Sequence, residues 1–111
     1  MEKTSAILAL SALAHDVRLD TFRALAQAGD DGLLAGEMAR ALSINPTTLS
    51  NNLKILSHAG LIHARREGRG IRYFVMAEEM RALLGYLTED CCGGRPELCA
   101  PLAAQGTEKT T

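Results

Sequence analysis

The stretch from Ser43 to Gly60 constrains this chain more than any other part of it. Ser43-Ile44-Asn45 interrupts the pattern before it, and Asn45 followed by Pro46 forms an N-cap with a proline at the first helical position. The helix that follows places Leu49, Leu53 and Leu56 on one side at i, i+4 and i+7 spacing. Its other side carries Thr47, Thr48, Ser50, Asn51, Asn52 and Lys54, nearly all hydrogen-bonding groups. Gly60 stops it, with Ala59 just before. Leucines anchor such a helix, and its polar side is left to meet something outside the chain.

The flanks say what that something is. A short helix from about Gly36 to Leu42, with Met38, Ala39 and Leu42 as its apolar face, precedes the break, so the pair reads as a helix-turn-helix. In that arrangement the second helix reaches base edges in the major groove. Asn51 suits adenine, Thr47 a thymine methyl or a phosphate, and Ser50 either. Thr48 shares their face, while Lys54 and the helix N-terminus suit phosphate. Two short strands follow, Leu61 to Arg66 and Ile71 to Met76, joined by Glu67-Gly68-Arg69-Gly70, whose glycines supply the positive φ a hairpin needs. This basic ribbon is a wing: Arg69 stands at the tip, with Arg65, Arg66 and Arg72 near the DNA backbone.

The rest of the chain is helical. An apolar stripe of Ile7, Leu8, Leu10 and Leu13 marks a first helix over about 4–14. A second runs from about Asp16 to Ala28 with Val17, Leu19, Phe22, Leu25 and Ala26 inward, and Gly29-Asp30-Asp31-Gly32 ends it as a turn. Leu33 and Leu34 lead into the helix-turn-helix. Ala77 to Glu89 forms a last amphipathic helix with Met80, Leu83, Leu84 and Leu87 inward. The expected fold is therefore mainly α with a β-hairpin wing, a winged helix-turn-helix. Residues 1–90 form the DNA-binding and dimerisation domain, 91–99 a cysteine segment and 100–111 a flexible tail.

Charge supports this reading once it is mapped. The chain carries a formal −1, but residues 36–76 hold Arg40, Lys54, Arg65, Arg66, Arg69 and Arg72 against only Glu37 and Glu67. The flanks are acidic, so the basic middle locates the surface that faces phosphate. With 111 residues and 4% aromatics, Leu, Ile, Val, Met and Ala must build one modest core, of a size often completed by a second copy. The apolar stretch Ala6–Ala14 is too short to cross a bilayer and lacks the features of a secretory signal. A cytoplasmic protein without membrane contact is expected, and in that compartment cysteines act as ligands or redox thiols more than as a disulfide framework.

All three cysteines, Cys91, Cys92 and Cys99, fall within nine residues. Thiolates select soft acceptors, and three without a fourth ligand suit a trigonal pyramidal ion such as As(III) or Sb(III). Gly93 and Gly94 let the chain fold back toward the pair, and Arg95 favours thiolate. Zinc would need His63, a carboxylate or water as a fourth ligand. A disulfide from Cys99 to Cys91 or Cys92 would instead make a redox sensor. A tail whose cysteines have no role also stays open. An enzyme has little to stand on, because no Cys-X-X-Cys at a helix start, nucleophile–base pair or phosphate loop is present. No organic cofactor is expected.

In four stretches the chain resembles the ArsR/SmtB family of metal-responsive repressors. They are Ala14-His15-Asp16-Val17-Arg18-Leu19, Thr48-Leu49-Ser50-Asn51-Asn52-Leu53-Lys54-Ile55-Leu56, Ala59-Gly60-Leu61-Ile62 and Arg65-Arg66-Glu67-Gly68-Arg69. The resemblance implies a homodimer, joined through its first and last helices, that leaves its operator, a double-stranded DNA site, when inducer binds. It assigns Ile7, Leu8, Leu10, Met80, Leu83 and Leu87 to the subunit interface. It also departs from the family pattern. Leu34-Ala35-Gly36-Glu37-Met38 has no cysteine where that family's usual site lies, and Glu78 and Glu79 on the last helix have no His partners. The pair Cys91-Cys92 with Cys99 beyond it looks instead like arsenic-responsive members with a C-terminal site, which implies As(III) on those three residues.

Overall fold

The computed structural model describes residues 1–88. Five helices and a small sheet follow one another as α1 (Lys3–Leu13), α2 (Asp16–Ala28), β1 (Leu33–Leu34), α3 (Ala35–Leu42), α4 (Pro46–His58), β2 (Ile62–Glu67), β3 (Gly70–Val75) and α5 (Ala77–Thr88). A single 3-10 turn, Gly29–Asp31, lies between α2 and β1. This is the winged helix-turn-helix expected from the sequence, α3 and α4 forming the helix pair and β2–β3 the wing.

Local chemistry sets most of the boundaries. The Asn45 side chain accepts from the backbone N–H of Thr47 at 2.8 Å and of Thr48 at 3.4 Å, which fixes the start of α4 at Pro46. Ser43 adopts the left-handed conformation that ends α3, and Gly60 does the same after α4, where the Leu61 N–H returns to the Leu56 carbonyl. In the wing Glu67 pairs with Gly70, so the loop has only Gly68 and Arg69 at its centre. Gly68 alone of the two turn glycines takes a positive φ; Gly70 belongs to the strand.

The sheet has a third strand that the sequence reading passed over. Leu33 and Leu34 pair antiparallel with Tyr73 and Arg72, giving the order β1-β3-β2. Gly32 makes this possible: a Cβ there would collide with the Tyr73 carbonyl and the Phe74 ring.

The core lies under the helix-turn-helix. Leu25, Met38, Leu49, Leu53, Leu56 and Leu61 are fully buried, and Thr21 among them is satisfied by the Val17 carbonyl at 2.7 Å. Two expectations for inward faces need correction, the first on α5, where Leu84 and Leu87 are exposed and Leu83 alone is buried. Leu19 and Ala26 of α2 are exposed, since Thr21, Phe22 and Leu25 take the inward side. On α1 the buried residues are Ala6, Ala9 and Ala12, while Ile7, Leu8 and Leu10 stand out at 41–54% exposure. Small alanines let α1 lie close against its neighbours, and that leaves its large apolar side chains uncovered. Among the described residues no helix is long and apolar enough to cross a membrane.

Candidate nucleic-acid interface

Helix α4 presents Thr47, Thr48, Ser50, Asn51 and Lys54 to solvent, while Leu49, Leu53 and Leu56 root it in the core. The five side chains expected to meet DNA therefore share one accessible surface. The first-turn amides are less available than expected, because the Asn45 side chain already occupies those of Thr47 and Thr48.

Asn52 is the exception on the polar side. It is 7% exposed and faces inward, with its Oδ1 accepting from Arg18 Nη1 at 3.2 Å and its Nδ2 donating to the Thr48 carbonyl at 2.9 Å. The signal was present in the spacing: position 52 lies three residues after Leu49 and four before Leu56, on the edge of the buried stripe. His15 likewise serves structure, capping α2 by accepting from the Arg18 N–H at 3.5 Å. His58 and His63 are exposed, and His63 stacks on Phe74 with ring centroids 5.0 Å apart.

The arginines of the wing differ in whether they have an acidic partner. Arg72, expected near the DNA backbone, is tied to neighbouring groups of the protein. It donates from Nε and Nη2 to both carboxylate oxygens of Glu67 at 2.9 and 3.0 Å, and from Nη1 to the Asp31 carbonyl at 3.1 Å. The hydrogen bond from Arg72 is the main reason the Glu67 carboxyl titrates below the ordinary glutamate range, and the Arg72 guanidinium is raised in return. Directly opposite in the register, Arg65 approaches the same Glu67 at 3.6 Å and lies 4.8 Å over the Phe74 ring. One glutamate thus holds two arginines that would otherwise repel across the strands. Among the described residues Lys54, Arg66 and Arg69 have no acidic partner, so they supply the mobile positive charge of this face. Arg66 is exposed in the ribbon, where the sequence reading put it beside Arg65.

The expected subunit-interface residues separate into two groups. Ile7, Leu8, Leu10 and Leu87 are exposed, on two helices that touch each other. Leu83 is instead 2% exposed and belongs to the chain's own core, with Met80 half-buried against it. The outward position beside Leu87 is taken by Leu84, at 40% exposure. Cys91, Cys92 and Cys99 lie outside the described residues, as does everything from residue 89 onward. Among the described residues no group of three His, Cys, Asp or Glu side chains is placed to hold a metal ion.

Residues 13–65, which run from the end of α1 into the wing, match the family model of a helix-turn-helix domain. The chain is 31% identical over 94 residues to the transcriptional activator HlyU of Vibrio cholerae, a match covering 83% of this chain and 84% of HlyU. Two solved structures are similar as well. The homodimeric winged helix-turn-helix DNA-binding domain of Mb0332 from Mycobacterium bovis, a possible ArsR-family regulator, has a TM-score of 0.64 at 31% identity, covering 78% of this chain and 81% of that one. AntR, an antimony-specific transcriptional repressor, has a TM-score of 0.63 at 27% identity, covering 96% of this chain and 84% of that one. These relatives are regulators, not enzymes.

Proposed function

Because the chain belongs to the winged helix-turn-helix transcriptional regulators of the ArsR family, we propose that it is a dimeric repressor released from operator DNA by As(III) or Sb(III) on Cys91, Cys92 and Cys99. The observation that carries the DNA half is the cleft between α4 and the wing, lined by Ser50 and Arg69 together, with Thr47, Asn51 and Lys54 exposed on the same helix. Two such surfaces, about 34 Å apart in a dimer, match successive major grooves on one side of the duplex. The exposed apolar residues of α1 and α5 are where the second copy packs.

The inducer half is supported by the donor set: three soft thiols within nine residues, immediately after the helix that carries Leu84 and Leu87. A trivalent metalloid supplies three bonds to sulfur and no demand for a fourth ligand. Cys91, Cys92 and Cys99 would hold it, and Arg95 would favour their thiolates. Similarity to the antimony-specific repressor points the same way. Binding next to the dimer helices would shift the pair of reading surfaces, with a coupling of about 1–3 kcal/mol between inducer and DNA. The same thiols also support a second reading, release by thiol oxidation.

The experiment begins with a palindromic duplex selected by the reduced protein from randomised DNA. Fluorescence anisotropy of that duplex is then followed while As(III), Sb(III), Zn(II) or a disulfide-forming oxidant is added. Release by As(III) or Sb(III), abolished by Ser at position 91, 92 or 99 with untreated DNA binding intact, is the expected result. Release by the oxidant alone would replace the metalloid reading with the redox one. Selection of no duplex would overturn the DNA-binding reading.

A further inference from the structure

We propose that Arg18 and Asn52 are positioning residues that lock the recognition helix α4 to the carboxyl end of α1, so that the expected dimer face and the DNA-reading turn move as one body. The inference rests on the DNA-binding reading above and adds to it a half-buried arginine and a buried asparagine, neither of them among the side chains expected to meet DNA.

Three hydrogen bonds in series make the link. Arg18 Nε donates to the Ala12 carbonyl at 2.6 Å, and its Nη1 donates to Asn52 Oδ1 at 3.2 Å. The Asn52 Nδ2 then donates to the Thr48 carbonyl at 2.9 Å. Ala12 lies in the last turn of α1, where a carbonyl has no partner within its own helix and the helix dipole favours a cation. Thr48 lies in the first turn of α4, on the backbone that also carries Thr47, Ser50 and Asn51. Arg18 is therefore a fork whose two arms hold two different helices, and Asn52 passes the connection to the end of α4 that faces DNA.

A packing role alone does not account for these residues. Leu49, Leu53 and Leu56 already fill the buried stripe of α4, and a leucine at 52 would extend it without any polar group to satisfy. With its amide held from both ends, Asn52 has one orientation, and a charge-assisted bond on one side makes sliding of α4 along α2 costly. Apolar contacts are not directional and resist such sliding far less. In a dimer the distance between the two recognition helices is fixed by how each is held relative to α1. Loosening the link should blur that distance.

The test compares the selected duplex with versions whose half-site spacing is one base pair longer or shorter, using the full chain and reading each affinity by anisotropy. Arg18→Lys keeps the charge but loses the planar fork that presents Nε and Nη1 separately to the Ala12 carbonyl and Asn52. Asn52→Ala removes the middle of the link. Asn52→Asp keeps an acceptor for Arg18 and serves as the partial rescue. Wild-type protein should discriminate between spacings, and Arg18→Lys and Asn52→Ala should each shrink that discrimination by a factor on the order of 2 to 30. Asn52→Asp should fall between them and wild type. A merely structural role would lower the melting temperature and the fraction of protein competent to bind, leaving the ranking of the duplexes unchanged. That result, at concentrations matched by stoichiometric titration, would overturn the inference alone. Wild-type protein that bound no duplex would remove the DNA-binding reading and the inference with it.

Discussion

Glu67 is an acidic residue in a ribbon built to face phosphate, and its place there follows from what surrounds it. Arg65 and Arg72 stand opposite each other in the register, and Glu67 accepts from Arg72 through both oxygens while staying within 3.6 Å of Arg65. The carboxyl is held below the ordinary glutamate range chiefly by the hydrogen bond from Arg72, so its contribution is present at neutral pH. It is lost only as pH falls through that lowered value, and the wing then becomes both looser and more positive. Glu67→Gln imitates that state at neutral pH. It should strengthen binding to non-specific duplex DNA at low salt and steepen the dependence of log K on log salt by about one, since one more cation becomes available to phosphate. Anisotropy titrations from about 50 to 200 mM salt measure this slope. A weaker affinity with an unchanged slope would mean that Glu67 acts only by shaping the hairpin.

At the scale of elements, the helix-turn-helix and the wing were legible because short-range chemistry specifies them. Asn45 before Pro46 starts α4, Gly60 ends it, and Gly68 turns the wing. The cap can be separated from the interface by two substitutions. Asn45→Ala should cost about 1 kcal/mol, seen as a lower denaturant midpoint at unchanged m-value. Asn45→Asp keeps an acceptor for the Thr47 and Thr48 amides, so stability should hold, but it adds a negative charge beside the reading turn and should weaken DNA binding several-fold. Equal loss of stability in both variants would contradict the capping role. What the sequence did not reveal depends on partners far along the chain. The two residues of β1 are too few to alternate, and their pairing needs the close approach at Gly32 to a strand not yet formed. Arg72 reads as a DNA contact until Glu67 and the Asp31 carbonyl are seen beside it. Asn52 reads as a surface residue until Arg18 meets it. Periodicity identified the apolar stripes of α1 and α5, yet it could not separate Leu83, which the chain buries itself, from Leu84, which it leaves outside.

For the whole molecule, the distribution of apolar side chains implies a division of labour between one chain and two. The core under α3 and α4 is complete within the chain: Leu25, Met38, Leu49, Leu53, Leu56 and Leu61 are all fully buried. Helix α1 is different, because its buried residues are the alanines Ala6, Ala9 and Ala12, joined by a half-buried Leu13, while Ile7, Leu8 and Leu10 stand exposed. At about 25 cal/mol per Å² of apolar surface, alanines contribute little and the uncovered residues hold most of what α1 has to gain. A second copy packed on α1 and α5 would supply it. Ile7→Glu combined with Leu87→Glu should therefore yield a monomer by sedimentation, with α4 still protected against hydrogen exchange and α1 no longer so. Affinity for a palindromic duplex should fall on the order of 10²- to 10⁴-fold, since two linked contacts become independent ones. Loss of α1 would also withdraw the Ala12 carbonyl from Arg18, so the surviving binding should lose its preference for half-site spacing. A double variant that stays dimeric and binds at full affinity would place the subunit interface elsewhere, and the exposed Leu19 and Ile55 would be the apolar residues to examine next.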